Sequence, residues 1–154
     1  MKKLNRQAVE VKQRPVKVLQ FGEGNFLRAF VDWQLDIANE KGVIDTSVAV
    51  VVPRFHESKA VDILNSQDNL YHVCLEGIEN GKPVKANRLI TVIADAFNPG
   101  ADMERYLGYA SSPDLKFVVS NTTEAGIRYE EDDVTVDAPV SYTHLRAHET
   151  LRHL

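Results

Sequence analysis

Two glycines, Gly22 and Gly24, lie one residue apart directly after the apolar run from Val16 to Phe21. A chain that turns sharply after a strand and passes close to a pyrophosphate needs positions without a Cβ atom, which only glycine provides. The next residues have helical periodicity with Asn25 as the expected N-cap, so the N–H groups of the first turn would face an anion. The spacing predicts a dinucleotide phosphate site. A tight corner without a ligand is the alternative, because two glycines alone are weak evidence.

Three features depart from the usual dinucleotide-binding pattern. Leu27 takes the position of the third glycine, so the close packing of helix on strand must be achieved in another way. Glu23 lies in the turn, where a carboxylate facing phosphates would repel them, so its side chain is expected to point away. The second predicted strand ends at Val52 without an acidic residue for the ribose before Glu57, and Arg54 is either a 2′-phosphate contact or a solvated surface residue.

A polar loop from Ser120 to Ile127 provides a second group of candidate ligands. Because ligands of open α/β sheets bind beyond the carboxyl ends of the strands, this loop is expected near the nicotinamide ribose or amide. The alternative is a turn that caps the next helix. Four consecutive side chains in the loop can form hydrogen bonds: Asn121, Thr122, Thr123 and Glu124.

The apolar periodicity predicts the elements that position these residues. Val16 to Phe21 is nearly continuously apolar, as in a parallel strand that is covered on both faces. A helix follows, which Gly42 is expected to end, and Ser47 to Val52 is a second strand, so the three form one right-handed βαβ unit. The helical face expected to be buried has spacings of three and four: Phe26, Ala29, Phe30, Trp33 and Ile37.

The middle of the chain has the pattern of a β-hairpin. Leu70 to Gly77 is predicted as the first strand and Val84 to Ala94 as the returning segment. Asn80 and Gly81 between them form the pair favoured in tight hairpin turns, because both residues tolerate positive φ.

A helix and a strand complete the predicted domain. The helix runs from Asp102 to Ala110, and Ser111, Ser112 and Pro113 break it. Lys116 to Ser120 is predicted as a buried strand before the polar loop. The residues of the helix that are expected to face inward are Met103, Tyr106 and Leu107.

The composition favours one domain with a small-molecule partner. The chain has 154 residues and a net charge of -4, without the clustered basic face that nucleic-acid binding usually needs. No apolar run approaches the roughly 20 residues that span a bilayer, and no signal peptide is evident, so we expect no membrane association and a cytoplasmic location. Cys74 is the only cysteine, which excludes an intramolecular disulfide, and we expect it to be a small core residue rather than a nucleophile.

Three motifs together resemble the mannitol dehydrogenase family of polyol dehydrogenases. They are F21-G-E-G-N-F-L-R-A-F-V-D-W33, S66-Q-D-N-L-Y71 and S120-N-T-T-E-A-G-I127, and the resemblance covers about residues 4–141. It implies an α/β fold: a Rossmann-type NAD-binding domain at 15–141, truncated, with a parallel sheet and an inserted β-hairpin, after an N-terminal lead at 1–14. The residues it implies for NAD binding are Gln20, Phe21, Gly22, Glu23, Gly24, Asn25, Phe26 and Leu27 around the pyrophosphate, and Asn121, Thr122, Thr123 and Glu124 near the nicotinamide.

The resemblance also implies a reaction, the NADH-dependent reduction of the hexuronate tagaturonate to altronate. Fructuronate and mannitol, the substrates of sister branches, are the alternatives. The family tolerates Leu27 and Arg54 with NAD, which makes NADP the less favoured cofactor. In relatives the proton donor is a lysine spaced Lys-x4-Asn-x2-His in a second domain. That spacing does not occur in this sequence, so no catalytic residue is assigned and the chain alone is expected to be inactive.

The segment 142–154 differs in character from the rest of the chain. It contains three of the five histidines and resembles translated adapter sequence, so we expect it to be foreign to the domain. His144 and His148 are four residues apart, but no third ligand is evident and no metal site is predicted. Two other interpretations stay open: a methyltransferase that binds S-adenosylmethionine at the glycine turn, and a non-catalytic fragment that folds poorly.

Overall fold

A computed structural model describes residues 4–52 and 59–121, and the chain divides after Ser120 into two compact units. Of the second unit only Asn121 belongs to the described residues. The first unit contains the following elements: β1 (Val16–Phe21), a π-helical turn (Leu27–Val31), α1 (Asp32–Glu40), β2 (Ser47–Val51), α2 (Lys59–Ser66), β3 (Tyr71–Glu79), β4 (Lys82–Ile90), β5 (Ile93–Phe97), α3 (Met103–Ala110) and β6 (Phe117–Ser120).

Four of the strands form a parallel sheet in the order β5-β2-β1-β6. Its central strand β2 is buried along its whole length, as expected for β-branched residues that are covered on both faces. Strands β3 and β4 form a separate antiparallel hairpin between α2 and β5. The α/β fold with a parallel sheet and an inserted hairpin is therefore as predicted.

Two predicted turns are confirmed with their backbone conformations. Gly42 follows the last turn of α1 with φ of 69°, which is the left-handed conformation that ends many helices. Asn80 and Gly81 join β3 to β4 with φ of 51° and 77°, as the tight hairpin turn requires. The βαβ unit and the hairpin are thus fixed by local sequence signals.

The predicted returning segment Val84 to Ala94 was wrong, because it combined two strands of different sheets. Strand β4 ends at Ile90, and β5 begins at Ile93 and pairs with β2 instead. Between them the Thr91 N–H donates to the Asp36 carboxylate at 2.9 Å, which takes this residue out of the hairpin ladder. Helix α2 was not predicted. It is short, and only Val61 and Leu64 are buried in it.

The inward face of α3 also differs from the prediction. Met103 and Leu107 are exposed, whereas Tyr106 and Tyr109 pack against the sheet. Asp95 on β5 causes this orientation, because the guanidinium of Arg105 and the hydroxyl of Tyr109 both donate to its carboxylate.

Two further burial predictions were wrong. Strand β6 lies at the edge of the sheet among the described strands, and its residues Phe117 and Val118 are exposed. Cys74 is exposed on the hairpin and is not a core residue. The N-terminal lead contacts the sheet at Arg6, whose guanidinium donates to the Ile93 carbonyl at 2.7 Å.

Candidate functional site

The glycine turn lies where the order of the sheet reverses. Strand β2 lies on one side of β1 and β6 on the other, with Phe21 in register with Val51 and Ser120. Ligands of open α/β sheets bind at such a point, outside the carboxyl ends of the strands. Asn121 directly follows Ser120 and is exposed, while Thr122, Thr123 and Glu124 lie outside the described residues, as does Arg54.

Gly22 makes the sharp turn that the sequence predicts. Its φ is 108°, a conformation that residues with a side chain rarely adopt. Its N–H donates to the Val51 carbonyl at 2.9 Å, so the pairing of β1 with β2 continues into the turn. A Cβ atom here would lie 3.7 Å from Leu27 Cδ1, so the backbone conformation rather than a lack of space requires glycine.

Gly24 has a different role from Gly22. Its φ is not positive, it is exposed, and a Cβ atom built on it would meet no atom within 4 Å in the part of the chain that the structure describes. The first backbone bond of the helix runs from the Arg28 N–H to the Gly24 carbonyl at 3.2 Å. The space in front of Gly24 and the first helical N–H groups is therefore open to a ligand.

Asn25 does not cap the helix as predicted. It already has helical conformation, and its Oδ1 accepts a hydrogen bond from Arg28 Nη2 at 2.7 Å. Glu23 is buried. Leu27, at the position of the missing third glycine, is also buried and packs beside Gly22, so it provides the close contact between helix and turn.

The helix after the turn buries another face than the one predicted. Phe26 and Phe30 are 55% and 50% exposed and stack on each other with ring centroids 5.2 Å apart, and Ala29 is also exposed. Trp33 is partly buried against the core. The π-helical turn contributes to this result, because its wider turn changes the angular position of the residues that follow.

The buried face of α1 is polar, and each of its residues connects the helix to another element. Asn39 bonds the backbone of Thr46 just before β2, with Nδ2 to the carbonyl at 2.8 Å and Oδ1 from the N–H at 3.0 Å. Three polar side chains form this face: Asp32, Asp36 and Asn39. Their spacing of four and three was visible in the sequence. The similar spacing of Phe26 and Phe30 predicts a different buried face, because these residues are apolar.

Asp36 connects α1 to the hairpin through an ion pair. Its Oδ2 accepts from the Arg88 guanidinium at 2.8 and 3.1 Å, and its Oδ1 accepts from the N–H and the hydroxyl of Thr91, both at 2.9 Å. Arg88 also pairs with Glu40 at 2.7 Å. This carboxylate therefore has a cation and four hydrogen bonds.

Asp32 connects α1 to the glycine turn, and sequence reasoning missed it. Both Asp32 and Gln20 have 0% of their surface exposed. Gln20 Nε2 donates to Asp32 Oδ2 at 3.3 Å and to the Gly22 carbonyl at 3.2 Å. The hydroxyl of Tyr71, at the start of β3, lies 2.9 Å from the Arg28 carbonyl and 3.2 Å from Asp32 Oδ2.

Burial changes the protonation chemistry of this cluster. It raises the pKa of Asp32 from 3.8 to about 7, although the hydrogen bonds from Gln20 and Tyr71 and the charge of Arg28 act in the opposite direction. Burial and the neighbouring Asp32 also raise the pKa of Tyr71, which stays a neutral donor. The glycine turn is therefore supported by a carboxyl group that titrates near neutral pH.

Within the described residues, no group of three or more histidine, cysteine, aspartate or glutamate side chains could hold a metal ion. No helix in the same part of the chain is long and apolar enough to cross a membrane.

Comparison with known proteins gives a family match and close relatives. Residues 16–152 match the Rossmann domain of mannitol dehydrogenase, a range that includes most of the segment 142–154. The chain is 45% identical over 141 residues to an altronate oxidoreductase of Bacteroides thetaiotaomicron and 47% identical over 141 residues to one of Phocaeicola vulgatus. These alignments cover 92% of this chain but 29% of each relative, so the chain spans less than a third of their length.

A solved structure gives the same result for the fold. Mannitol 2-dehydrogenase of Pseudomonas fluorescens, in a ternary complex with NAD and D-mannitol, superposes with a TM-score of 0.69 at 27% identity. The superposition covers 82% of this chain and 28% of the dehydrogenase.

Proposed function

The chain belongs to the mannitol dehydrogenase family, and we propose that it is the NAD-binding part of an oxidoreductase that reduces tagaturonate to altronate with NADH. One observation carries the proposal: a strand, a glycine turn and a helix meet at the switch point of a parallel sheet. The identity of 45% and 47% to altronate oxidoreductases supports this substrate.

The geometry of the turn fits a dinucleotide pyrophosphate. Gly22 directs the chain away from β1, and the open space at Gly24 lets an anion approach the backbone. The N-terminus of the helix adds a partial positive charge at the same place. Gln20 to Leu27 would therefore hold the pyrophosphate, and Asn121 to Glu124 would lie at the nicotinamide end.

The chain would bind and orient the cofactor without completing the reaction. NADH supplies a hydride to the keto carbon of the substrate, and a separate group must deliver a proton to the carbonyl oxygen. The sequence lacks the lysine, asparagine and histidine spacing that the family uses for that proton. The chain alone is thus proposed to be inactive. The cofactor domain is proposed at 15–141 and a foreign segment at 142–154, although the family match extends to residue 152.

The substrate proposal has two alternatives within the same family. Fructuronate and mannitol differ from tagaturonate in chemical groups that a second domain would recognise. The proposed cofactor domain would not contact those groups. The solved mannitol dehydrogenase is 27% identical, well below the altronate oxidoreductases, which favours the uronate. A cytoplasmic location is part of the proposal, because the exposed free thiol of Cys74 fits a reducing compartment.

A pair of glycine variants tests the pocket. The Cβ atom of Gly24→Val would meet no atom of the described residues within 4 Å, so the variant should fold and yet exclude the pyrophosphate. Gly77→Val on the hairpin has the same open surroundings and serves as the control. Binding of NADH, NADPH and S-adenosylmethionine is measured by calorimetry, and melting temperatures report folding.

We expect the unmodified chain and Gly77→Val to bind NADH, and Gly24→Val to lose at least tenfold in affinity at an unchanged melting temperature. Equal NADH binding by both variants would place the cofactor elsewhere. Binding of S-adenosylmethionine instead of NADH would favour the methyltransferase interpretation. NADH oxidation by the chain with tagaturonate, fructuronate or fructose would contradict its proposed inactivity.

A further inference from the structure

The cluster beneath the glycine turn has more acceptors than donors. Its donors are the amide of Gln20, with two hydrogens, and the Tyr71 hydroxyl, with one. Its acceptors are the carbonyls of Gly22 and Arg28, both oxygens of Asp32 and the Gln20 Oε1 atom. Three hydrogens face five acceptor atoms, and within the described residues Gln20 Oε1 and Asp32 Oδ1 are both buried without a hydrogen-bond partner. The Arg28 Nε–H is also buried without a partner there, so it donates to neither oxygen.

The charged side chains around Asp32 do not supply the missing hydrogen-bond donor. Arg28 is the cation that faces it from the π-helical turn, but its guanidinium lies over the Tyr71 ring at 5.5 Å and donates to Asn25. Asp36, one helical turn further along α1, adds a negative charge. The groups from β1 and β3 that contact Asp32 are the neutral Gln20 and Tyr71.

We propose that Asp32 is a positioning residue that holds the glycine turn in its dinucleotide-binding shape when its carboxyl group is protonated, so that NADH affinity falls as the pH rises. This inference rests on the proposed NAD site. A proton on the Asp32 carboxyl group supplies the donor that the cluster lacks. Gln20 can then keep its hydrogen bond to the Gly22 carbonyl, and Tyr71 can keep its hydrogen bond to the Arg28 carbonyl. The raised pKa of Asp32 agrees with a proton held at this position.

Ionisation of Asp32 would act on the turn in two ways. The buried charge would compete for the amide hydrogens of Gln20 and the hydroxyl of Tyr71, which support the two backbone carbonyls. It would also add a negative charge beneath the place where the pyrophosphate binds. By linkage, if only the neutral form binds, the dissociation constant of NADH rises about tenfold for each pH unit above the transition.

The test uses the whole chain and its single tryptophan. Trp33 directly follows Asp32, so energy transfer from Trp33 to bound NADH reports binding at the turn. The dissociation constant is measured between about pH 6 and pH 9 for the unmodified chain and for Asp32→Asn, whose neutral amide keeps both a donor and an acceptor. Glu40→Gln makes the same chemical change on the same helix, at an exposed position, and is the control.

We expect affinity to fall at least tenfold between pH 6.5 and pH 8.5 in the unmodified chain and in Glu40→Gln, and to stay constant within about twofold in Asp32→Asn. If Asp32 has only a structural role, Asp32→Asn will change the melting temperature and leave the pH profile of binding as it was, which overturns the inference. Binding by the unmodified chain that does not depend on pH also overturns it. Absence of NADH binding at every pH would instead overturn the proposed function, and the inference with it.

Discussion

The two ends of the polar face of α1 differ in how they satisfy a buried carboxyl group. At the hairpin end, Asp36 accepts four hydrogen bonds and pairs with the Arg88 guanidinium. At the turn end, the donors to Asp32 among the described residues are neutral, and one of its oxygens has no partner there. Both are buried aspartates on the same face of one helix. Asp36 forms a structural ion pair, whereas Asp32 has neutral donors, and its burial raises its pKa to about 7.

This difference agrees with the role of each end of the helix. The hairpin end holds β4 against α1 through the contacts of Asp36 with Arg88 and Thr91. The turn end lies beneath the proposed cofactor site, where fewer fixed contacts leave the backbone dependent on one proton. Buried polar groups that are incompletely satisfied are often found where function requires them.

The largest expected effect concerns the stability of the turn end as a function of pH. The pKa of Asp32 is raised from 3.8 to about 7 on folding, so the folded state holds a proton that the unfolded state releases between these values. The stability from this proton is complete below about pH 4 and is lost as the pH rises to about 7. Relative to Asp32→Asn, the unmodified chain should lose on the order of 4 kcal/mol over this range.

Chemical denaturation of both proteins at pH 4, 5.5, 7 and 8 measures this loss. A constant difference in unfolding free energy across the series would show that Asp32 does not change its proton affinity on folding.

A somewhat smaller effect is expected when the ion pair at the hairpin end is broken. Asp36→Ala leaves Arg88 partly buried without its main partner and removes the acceptor of the Thr91 N–H. The cost should be about 3 kcal/mol in unfolding free energy, near the lower end for buried pairs. Because this site is separate from the turn, the pH at which NADH affinity falls should change by less than one unit. A change in stability below 1 kcal/mol would mean that the ion pair does not hold the hairpin.

The smallest effect is expected for the hydroxyl group that joins the two regions. Tyr71→Phe keeps the ring near the Arg28 guanidinium and removes only the contacts to the Arg28 carbonyl and to Asp32. We expect a loss of about 1 to 2 kcal/mol in stability and a weaker NADH affinity at pH 6.5. Unchanged NADH affinity in this variant would show that the hairpin, through the Tyr71 hydroxyl, does not support the glycine turn.

Local signals in the sequence were enough to predict the βαβ unit and the hairpin turn. Gly22, Gly42 and the Asn80-Gly81 pair each adopt the positive φ that their neighbours in sequence require. Such turns depend on backbone sterics over a few residues, so a sequence contains the information to predict them.

Tertiary contacts decided the features that the sequence did not reveal. The run from Arg88 to Phe97 is continuously compatible with a strand, and Asp36, more than 50 residues earlier, determines where it breaks. The buried face of α1 was misread, because hydrophobic periodicity assumes that buried positions are apolar. Asp32 is accommodated at that buried face through hydrogen bonds from Gln20 and Tyr71, which approach it only in the folded chain.

The most direct test of the role of Asp32 is a titration of its carboxyl carbon by nuclear magnetic resonance, with and without saturating NADH. Because coupling between two sites is reciprocal, an anion that binds the neutral form must raise the pKa of the group it depends on. We predict a midpoint at about pH 7 for the free chain and a higher midpoint with NADH bound. A midpoint that NADH leaves unchanged, or one close to the ordinary value of an aspartate in the free chain, would contradict it.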